Sequence, residues 1–331
     1  MSNNSHQELF IILLSGVALL ASFAAESNEI KAKLYGRAQV EVASFDNNTT
    51  SDGTQLDDNA AGRIGVKFEQ KLDDNFTGLA GYEWRNDTTD NEVAADNAPM
   101  NARESYIALK SPWGTIGGGN SLSPYKVTGG VKYDPFVATL LEARSNGGMS
   151  AGAFGHNNFI ADSLWYKSPH WRNFSAWLLY SPDEVSDNNR GADKDFAYGI
   201  KYANKQWEAF ISGVNDESAT LERTKVGGSF KFNSQHRVVA QFEASDIGSG
   251  DEDTYFAGYH FKLQQWTFVA QLGETDPSGN DNNTDYSAIG ALYDFSKDFR
   301  FFSGYRNSSP EVGDDTKVIS LGLNFRFGKS F

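Results

Sequence analysis

The residues of this chain that could do chemistry are charged rather than nucleophilic. Cysteine is absent, which excludes thiol nucleophiles and thiolate metal sites. Of the five histidines, His6 sits in the N-terminal apolar segment. His156, His170, His236 and His260 stand apart, with no GxSxG elbow or HExxH pair beside them. Neither an acyl-transfer triad nor a zinc site is therefore expected, and no cofactor motif is present. What the chain offers instead is basic residues at alternate positions of half-apolar segments. Arg37 stands between Tyr35 and Gln39, and Arg63 opens a segment whose apolar members are Ile64, Val66 and Phe68. The longest connection, residues 120–158, carries Asp134 and Glu142 as acids and Lys126, Lys132 and Arg144 as bases. A connection that long in a compact fold is usually functional.

The positions of these charges are set by strands. At the C-terminus Leu321, Leu323, Phe325, Phe327 and Phe331 alternate with Gly, Asn, Arg and Ser, a period of two with one apolar and one wet face. Lys329 interrupts the apolar face. In 33–42, Leu34, Ala38, Val40 and Val42 oppose Lys33, Tyr35, Arg37, Gln39 and Glu41. Val226, Phe230 and Phe232, then Tyr255, Ala257, Tyr259 and Phe261, then Trp266, Phe268, Ala270 and Leu272 repeat the pattern. Charged residues on the alternate face are too many for a dry core, so that face meets water.

The connections fall into two kinds. Long polar ones lie near 46–60, 86–100, 120–158, 181–194, 215–222, 245–252, 273–284 and 306–316. Short ones lie at 72–75, 111–112, 168–171, 204–205, 233–235, 264–265 and 296–297. They alternate, which predicts about sixteen antiparallel strands with long extracellular loops and short periplasmic turns, the layout of a transmembrane β-barrel. Tyr82, Trp84, Trp207, Tyr259, Trp266, Tyr286 and Tyr305 lie mostly near strand ends, where a barrel in lipid carries aromatic girdles.

Composition agrees. Mean hydropathy is -0.50, yet aromatics make up 14% and there are 32 glycines, the mixture expected when only alternate residues meet lipid. The net charge of -14 makes nucleic acid an unsuitable partner. The apolar run Leu9 to Ala21, with Ser22 and Ala24 at a small-residue cleavage site, predicts a secretory signal over residues 1–24. Met1 to Glu8 contains no Lys or Arg. Residues 25–331 then form one barrel domain.

Several motifs resemble the general bacterial porins of Gram-negative outer membranes. Lys33-Leu34-Tyr35-Gly36-Arg37 is similar to the family's opening strand, and Gly62 to Lys67 to its second. Arg103 to Lys110 followed by Trp113-Gly114-Thr115-Ile116 resembles the lead into the constriction loop, and Ser163 to Pro169 the strand and turn after it. With Phe331 as the terminal aromatic of a barrel-assembly signal, the resemblance frames the whole segment after residue 24. It implies a homotrimer in the outer membrane, each barrel a passive pore for small hydrophilic solutes, with lipopolysaccharide and lipid around it. It also implies that residues 120–158 fold inward as a third loop. Arg37, Arg63 and Arg103 match the family's basic wall, with Glu142 and Asp134 as the facing acids. A transverse field between acids and bases in a narrow water column orients dipolar solutes and disfavours apolar ones. The chain departs from the family at Phe159, Ile160 and Gly119, where some members carry further bases, so a thinner basic wall is expected.

An alternative is a channel selective for sugars or phosphate, for which Tyr35 and Trp165 could begin an aromatic file. The acid pairs of the long loops, Asp57-Asp58, Asp87 with Asp90, Asp183-Glu184, Asp251-Glu252-Asp253 and Asp314-Asp315, read first as solvation. Their oxygens also suit divalent cations bridging to lipid phosphates, though no EF-hand spacing or other metal motif accompanies them.

Overall fold

The computed structural model describes residues 29–47, 52–89, 100–152, 154–156, 159–182, 194–217, 220–279 and 282–331. The expected signal segment 1–24 and the loop acids Asp90, Asp183 and Glu184 lie outside the described residues. Seventeen strand segments form one sheet. In chain order they are β1 (Ile30–Asp46), β2 (Gly53–Asp57), β3 (Arg63–Lys71), β4 (Thr77–Asn86), β5 (Met100–Ser111) and β6 (Gly114–Leu122). After the long third loop come β7 (Phe159–Lys167), β8 (Phe174–Ser181), β9 (Asp195–Ala203), β10 (Trp207–Asp216), β11 (Leu221–Lys231) and β12 (His236–Asp246). The chain ends with β13 (Asp251–Leu263), β14 (Trp266–Pro277), β15 (Thr284–Asp294), β16 (Phe299–Pro310) and β17 (Thr316–Ser330).

Every neighbouring pair is antiparallel, and β17 returns to β1 in a register running from Lys33↔Ser330 to Asp46↔Lys317. Phe331 extends that seam by one residue, its N–H donating to the Ala32 carbonyl at 2.8 Å and its carbonyl accepting from the Ala32 N–H at 3.2 Å. The sheet is closed and has no free edge. β2 and β3 both pair with the same edge of β1, over Glu41↔Asp57 to Phe45↔Gly53 and Ile30↔Gln70 to Arg37↔Arg63. They are two halves of one stave, and the barrel has sixteen staves. The break between them is held by Asp58, which is fully buried. Its carboxylate accepts from the N–H groups of Ala60, Gly62 and Thr88 at 2.9, 3.2 and 3.1 Å.

The alternation sets the outer face. Leu34, Val42, Ile107, Leu164, Leu272, Ile289 and Ile319 are all exposed on it. A belt of this kind is suited to lipid, where backbone groups are satisfied between strands and side chains meet acyl chains. At the turn ends of β12 to β17, ring contacts run from His236 and Phe261 through Phe268, Trp266, Tyr293, Phe295 and Phe299 to Phe325 and Phe327. Trp207, Tyr259 and Trp266 are exposed near the turn ends as expected of girdle residues. Tyr286 is not among them. It points inward and is 1% exposed, because its neighbours Ser287 and Ile289 take the outer face of β15.

The third loop enters the barrel through α1 (Pro124–Thr128), whose N-cap Ser123 accepts from the Tyr125 N–H at 3.1 Å and whose first turn carries Pro124. A 3₁₀ turn follows at Gly130–Lys132. Beyond it Tyr133, Phe136, Leu141, Ala143 and Met149 form a core with inward residues of β10 and β12–β17, among them Phe210, Val239, Phe256, Val269, Leu292 and Phe302. The approach is close enough to require glycine: a Cβ on Gly273 would lie 2.5 Å from the Gly148 Cα. The strand alternation gives a wet inner face in most strands, and a large part of that face is a dry seat for the inward-folded loop.

Candidate functional site

The inner wall is divided between the loop seat and an uncovered arc. The loop tip reaches β1, where Gln39 Nε2 donates to the Ala138 carbonyl at 2.5 Å and the Leu140 N–H donates to Glu41 at 2.6 Å. One inward position further toward the turns is Arg37. Its Cα partners are Arg326 on β17 and Arg63 on β3, so three arginines stand side by side across three staves. Like charges directly opposite oppose pairing. Amides lie between them. Arg37 donates to Gln39 Oε1 at 2.5 Å and, with the Asn324 amide turned to meet its donors, to Asn324 Oδ1 at 3.0 Å. Among the described residues no carboxylate lies within ion-pair distance of Arg37 or Arg326.

The row continues through Arg103, which lies where the β4–β5 register shifts between Glu83 and Trp84. That irregularity re-aims a side chain, as bulges do. Arg103 Nε lies 2.8 Å from Glu83 Oε1, and Arg63 lies 3.8 Å from the same oxygen. Tyr35 donates to the other Glu83 oxygen at 3.1 Å. One carboxylate thus serves two of the three sequence-predicted wall arginines. Phe159, where the sequence suggested a gap in basic character, has the Arg103 guanidinium 4.8 Å and the Lys126 ammonium 4.3 Å from its ring centroid. The loop helix supplies a cation where the strand has none. Burial, with Arg103 and Arg144 nearby, lowers the Lys126 pKa to about 7.

The two predicted loop acids hold the loop itself. Glu142 accepts from the Ala138 N–H at 2.6 Å and from Arg144 at 2.5 and 3.0 Å, and Asn59 reaches its other oxygen at 3.4 Å. Asp134 is 2% exposed. It accepts from the N–H groups of Phe136 and Ala143 at 2.8 and 2.9 Å and from Gln271 on β14 at 2.9 Å. Burial raises its pKa to about 6 despite these donors. The structure places neither acid opposite the arginines as a bare carboxylate.

A second polar brace ties the loop to β11 and β12. Glu243 accepts from Tyr125 OH and Ser150 Oγ, both at 2.6 Å. His156 Nδ1 lies 2.9 Å from the Ser150 carbonyl, and its Nε2 lies 2.8 Å from Lys225 Nζ. These contacts assign a neutral imidazole that donates from Nδ1 and accepts from the Lys225 ammonium. Burial lowers the His156 pKa to about 3, so its 3.6 Å approach to Glu243 is not an ion pair at neutral pH. Serine, histidine and glutamate meet here, but the serine proton goes to the carboxylate and all three groups are buried. The trio braces; it does not attack. Trp165, proposed above as the start of an aromatic file, is 5% exposed and packs edge-on against Tyr106.

Arg326 and Glu83 were not singled out from the sequence. Alternation places both on the wet face, but only the β1–β17 and β3–β4–β5 registers put them beside the other three.

The arrangement can sort ions by charge in water. Across 261 residues the chain is 23% identical to the major outer membrane protein P.IB of Neisseria lactamica, covering 71% of this chain and 75% of that protein. Its fold is similar to an anion-selective porin from Comamonas acidovorans, with a TM-score of 0.76 at 16% identity over 90% of this chain and 100% of that one. It is also similar to the trimer form of in-vitro folded OmpT of Vibrio cholerae, with a TM-score of 0.64 at 13% identity over 91% and 100%. The Gram-negative porin family profile matches residues 13–311, and the chain, a closed barrel and diffusion channel of the outer membrane, belongs to that family.

Proposed function

We propose that this outer-membrane channel passes small hydrophilic solutes with a preference for anions. Its narrowest charged section is then the row Arg326, Arg37, Arg63 and Arg103, with Lys126 facing it from the loop. The observation that carries the reading is an imbalance. Arg37 is held by amides, and neither it nor Arg326 has a carboxylate within ion-pair distance among the described residues, whereas Glu142 and Asp134 are engaged within the loop. A bore lined by unneutralised guanidinium groups raises the local anion concentration. The anion-selective porin with which this chain shares its fold supports the same direction. A homotrimer is proposed as the assembly, in keeping with the trimer form of a fold neighbour. Lipid and lipopolysaccharide are its proposed surroundings, supported by the apolar outer belt. A selective sugar channel is not favoured, since Trp165 is buried away from the bore.

Purified protein in planar bilayers should give stepwise conductance in groups of three. Under a salt gradient the reversal potential should take the sign of anion preference. No conductance would overturn the channel, and a cation-selective potential would overturn the role given to the arginines.

A further inference from the structure

We propose that the pore conducts asymmetrically, passing more current when its long-loop end is positive, because its fixed charge is separated along the barrel axis. The inference rests on the channel reading above. At the turn end, lumen-facing cations recur stave after stave: Lys33 on β1, Lys67 on β3, Lys167 on β7, Lys201 on β9, Lys231 on β11 and Lys262 on β13. Each stands within the last few residues before or after a turn or strand terminus. Around the turns of β10 to β13, Lys205, Lys231, Arg237 and Lys262 line a cavity of about 640 Å³ whose lining contains no carboxylate. Several carboxylates at this end already have cationic partners: Glu208 pairs with Lys132, Asp294 with Arg300 and Asp74 with Lys71.

The long-loop end is acidic, but around its mouth rather than inside the lumen. Glu222, Asp246, Asp251, Asp253 and Asp276 line a cavity of about 500 Å³ on the outer face of β11 to β14 at the rim, with no cation in its lining. Glu311, Asp314 and Asp315 add to this end in the last loop. Arg223, a cation facing inward there, has Glu252 3.6 Å away.

Mobile ions follow fixed charge, so anions enrich inside the lumen at the turn end and cations around the mouth at the loop end. With the loop side positive, cations enter from the acidic end and anions from the basic end. Both crowd toward the middle, and conductance rises. The opposite polarity draws both out and depletes the pore. Screening sets the salt range: the Debye length is about 10 Å at 0.1 M and about 3 Å at 1 M, so the asymmetry belongs to dilute salt.

The test uses trimers whose orientation is known. Because the chain has no cysteine, Val312→Cys, an exposed uncharged position of the last loop, can be biotinylated alone, and streptavidin added to one chamber reports which end faces it. In about 0.1 M potassium chloride the current with the loop side positive should exceed that of the opposite polarity about twofold, the ratio falling toward one above about 1 M. The combined variant Lys231→Gln, Arg237→Gln, Lys262→Gln should bring the low-salt ratio toward one while the channels still open. Equal currents at low salt, or a larger current with the loop side negative, would overturn the inference. A full ratio in the triple variant would overturn its assignment to these groups. Absence of any conductance would instead count against the channel itself.

Discussion

Two arcs of the same inner wall, built on one strand alternation, have opposite characters. On β1, β3, β4, β5 and β17 the inward residues include Arg37, Arg63, Glu83, Arg103 and Arg326, a charged row outside the loop core. On β12 to β16 they include Val239, Phe256, Val269, Leu292 and Phe302, and the third loop covers them. The outer faces of both arcs are alike. The difference shows that a barrel of this kind can carry a second core on one side of its lumen, and that this core determines which wall is left to the solute. The loop is seated mainly by apolar packing, with Asp134, Glu142 and Glu243 tying it down, so its acids are used for position more than for the field.

The largest test of that division is to unseat the loop. Phe136 is fully buried and packs toward Gly290 on β15. Phe136→Asp would place a carboxylate in the seat at more than about 4 kcal/mol if the loop stayed. The loop should leave the wall, seen as faster proteolysis of residues 134–150 in an otherwise heat-stable barrel and as larger unitary conductance. A protease-resistant loop would mean that the polar braces alone suffice.

Charge on the open arc should act next, and in both directions. Neutralising Arg37 and Arg63 together to Gln should lower the anion-to-cation permeability ratio about threefold. Glu83→Gln should raise it, by up to about twofold, because it releases Arg63 and Arg103 from their shared carboxylate. Reversal potentials that move the same way in both variants would remove this row from the selective section.

The smallest effect lies in pH, within the seat. His156 has a folded pKa of about 3 against an ordinary 6.5, so its contribution to stability is full above about 6.5 and lost as pH falls toward 3. Asp134 has a folded pKa of about 6 against 3.8, so its contribution is full below about 4 and lost as pH rises through 6. Between pH 4 and 6 the two slopes oppose each other. Asp134→Asn should expose the histidine slope, with stability falling on acidification by up to about 1.4 kcal/mol per pH unit. His156→Gln should reverse the sign. Urea midpoints in detergent across this range check both, and parallel slopes in the two variants would refute the assignment.

Much of the barrel was legible in the sequence because its signals are local. A two-residue period and alternating loop lengths identify staves without knowledge of their partners, and Leu321 to Phe327 gave their faces correctly. The seat was legible in principle. Val238-Val239, Tyr255-Phe256, Phe268-Val269 and Phe301-Phe302 are doubled apolar pairs, the mark of a strand buried on both faces, whereas the opening strand alternates strictly. The interrupted stave at residues 58–62 was not legible, since Asp58 acts through the distant Thr88 N–H. Nor was the company of Arg37. Its neighbour Arg326 lies 289 positions away in the chain, and only the seam register joins them.

That seam has a consequence for how the pore comes into being. The pairing of β1 with β17 joins the two strands most distant in sequence, the contact with the greatest loop-closure cost, and the row of guanidinium groups crosses it. No folding intermediate with an open seam can own the complete row, because Arg326 sits on one lip and Arg37, Arg63 and Arg103 lie on the other side of the seam. Bringing Arg37 opposite Arg326 works against closure, so the strand pairing and the amides of Gln39 and Asn324 must outweigh that repulsion at the moment the cylinder shuts. Completion of the barrel and acquisition of its selectivity are therefore a single event.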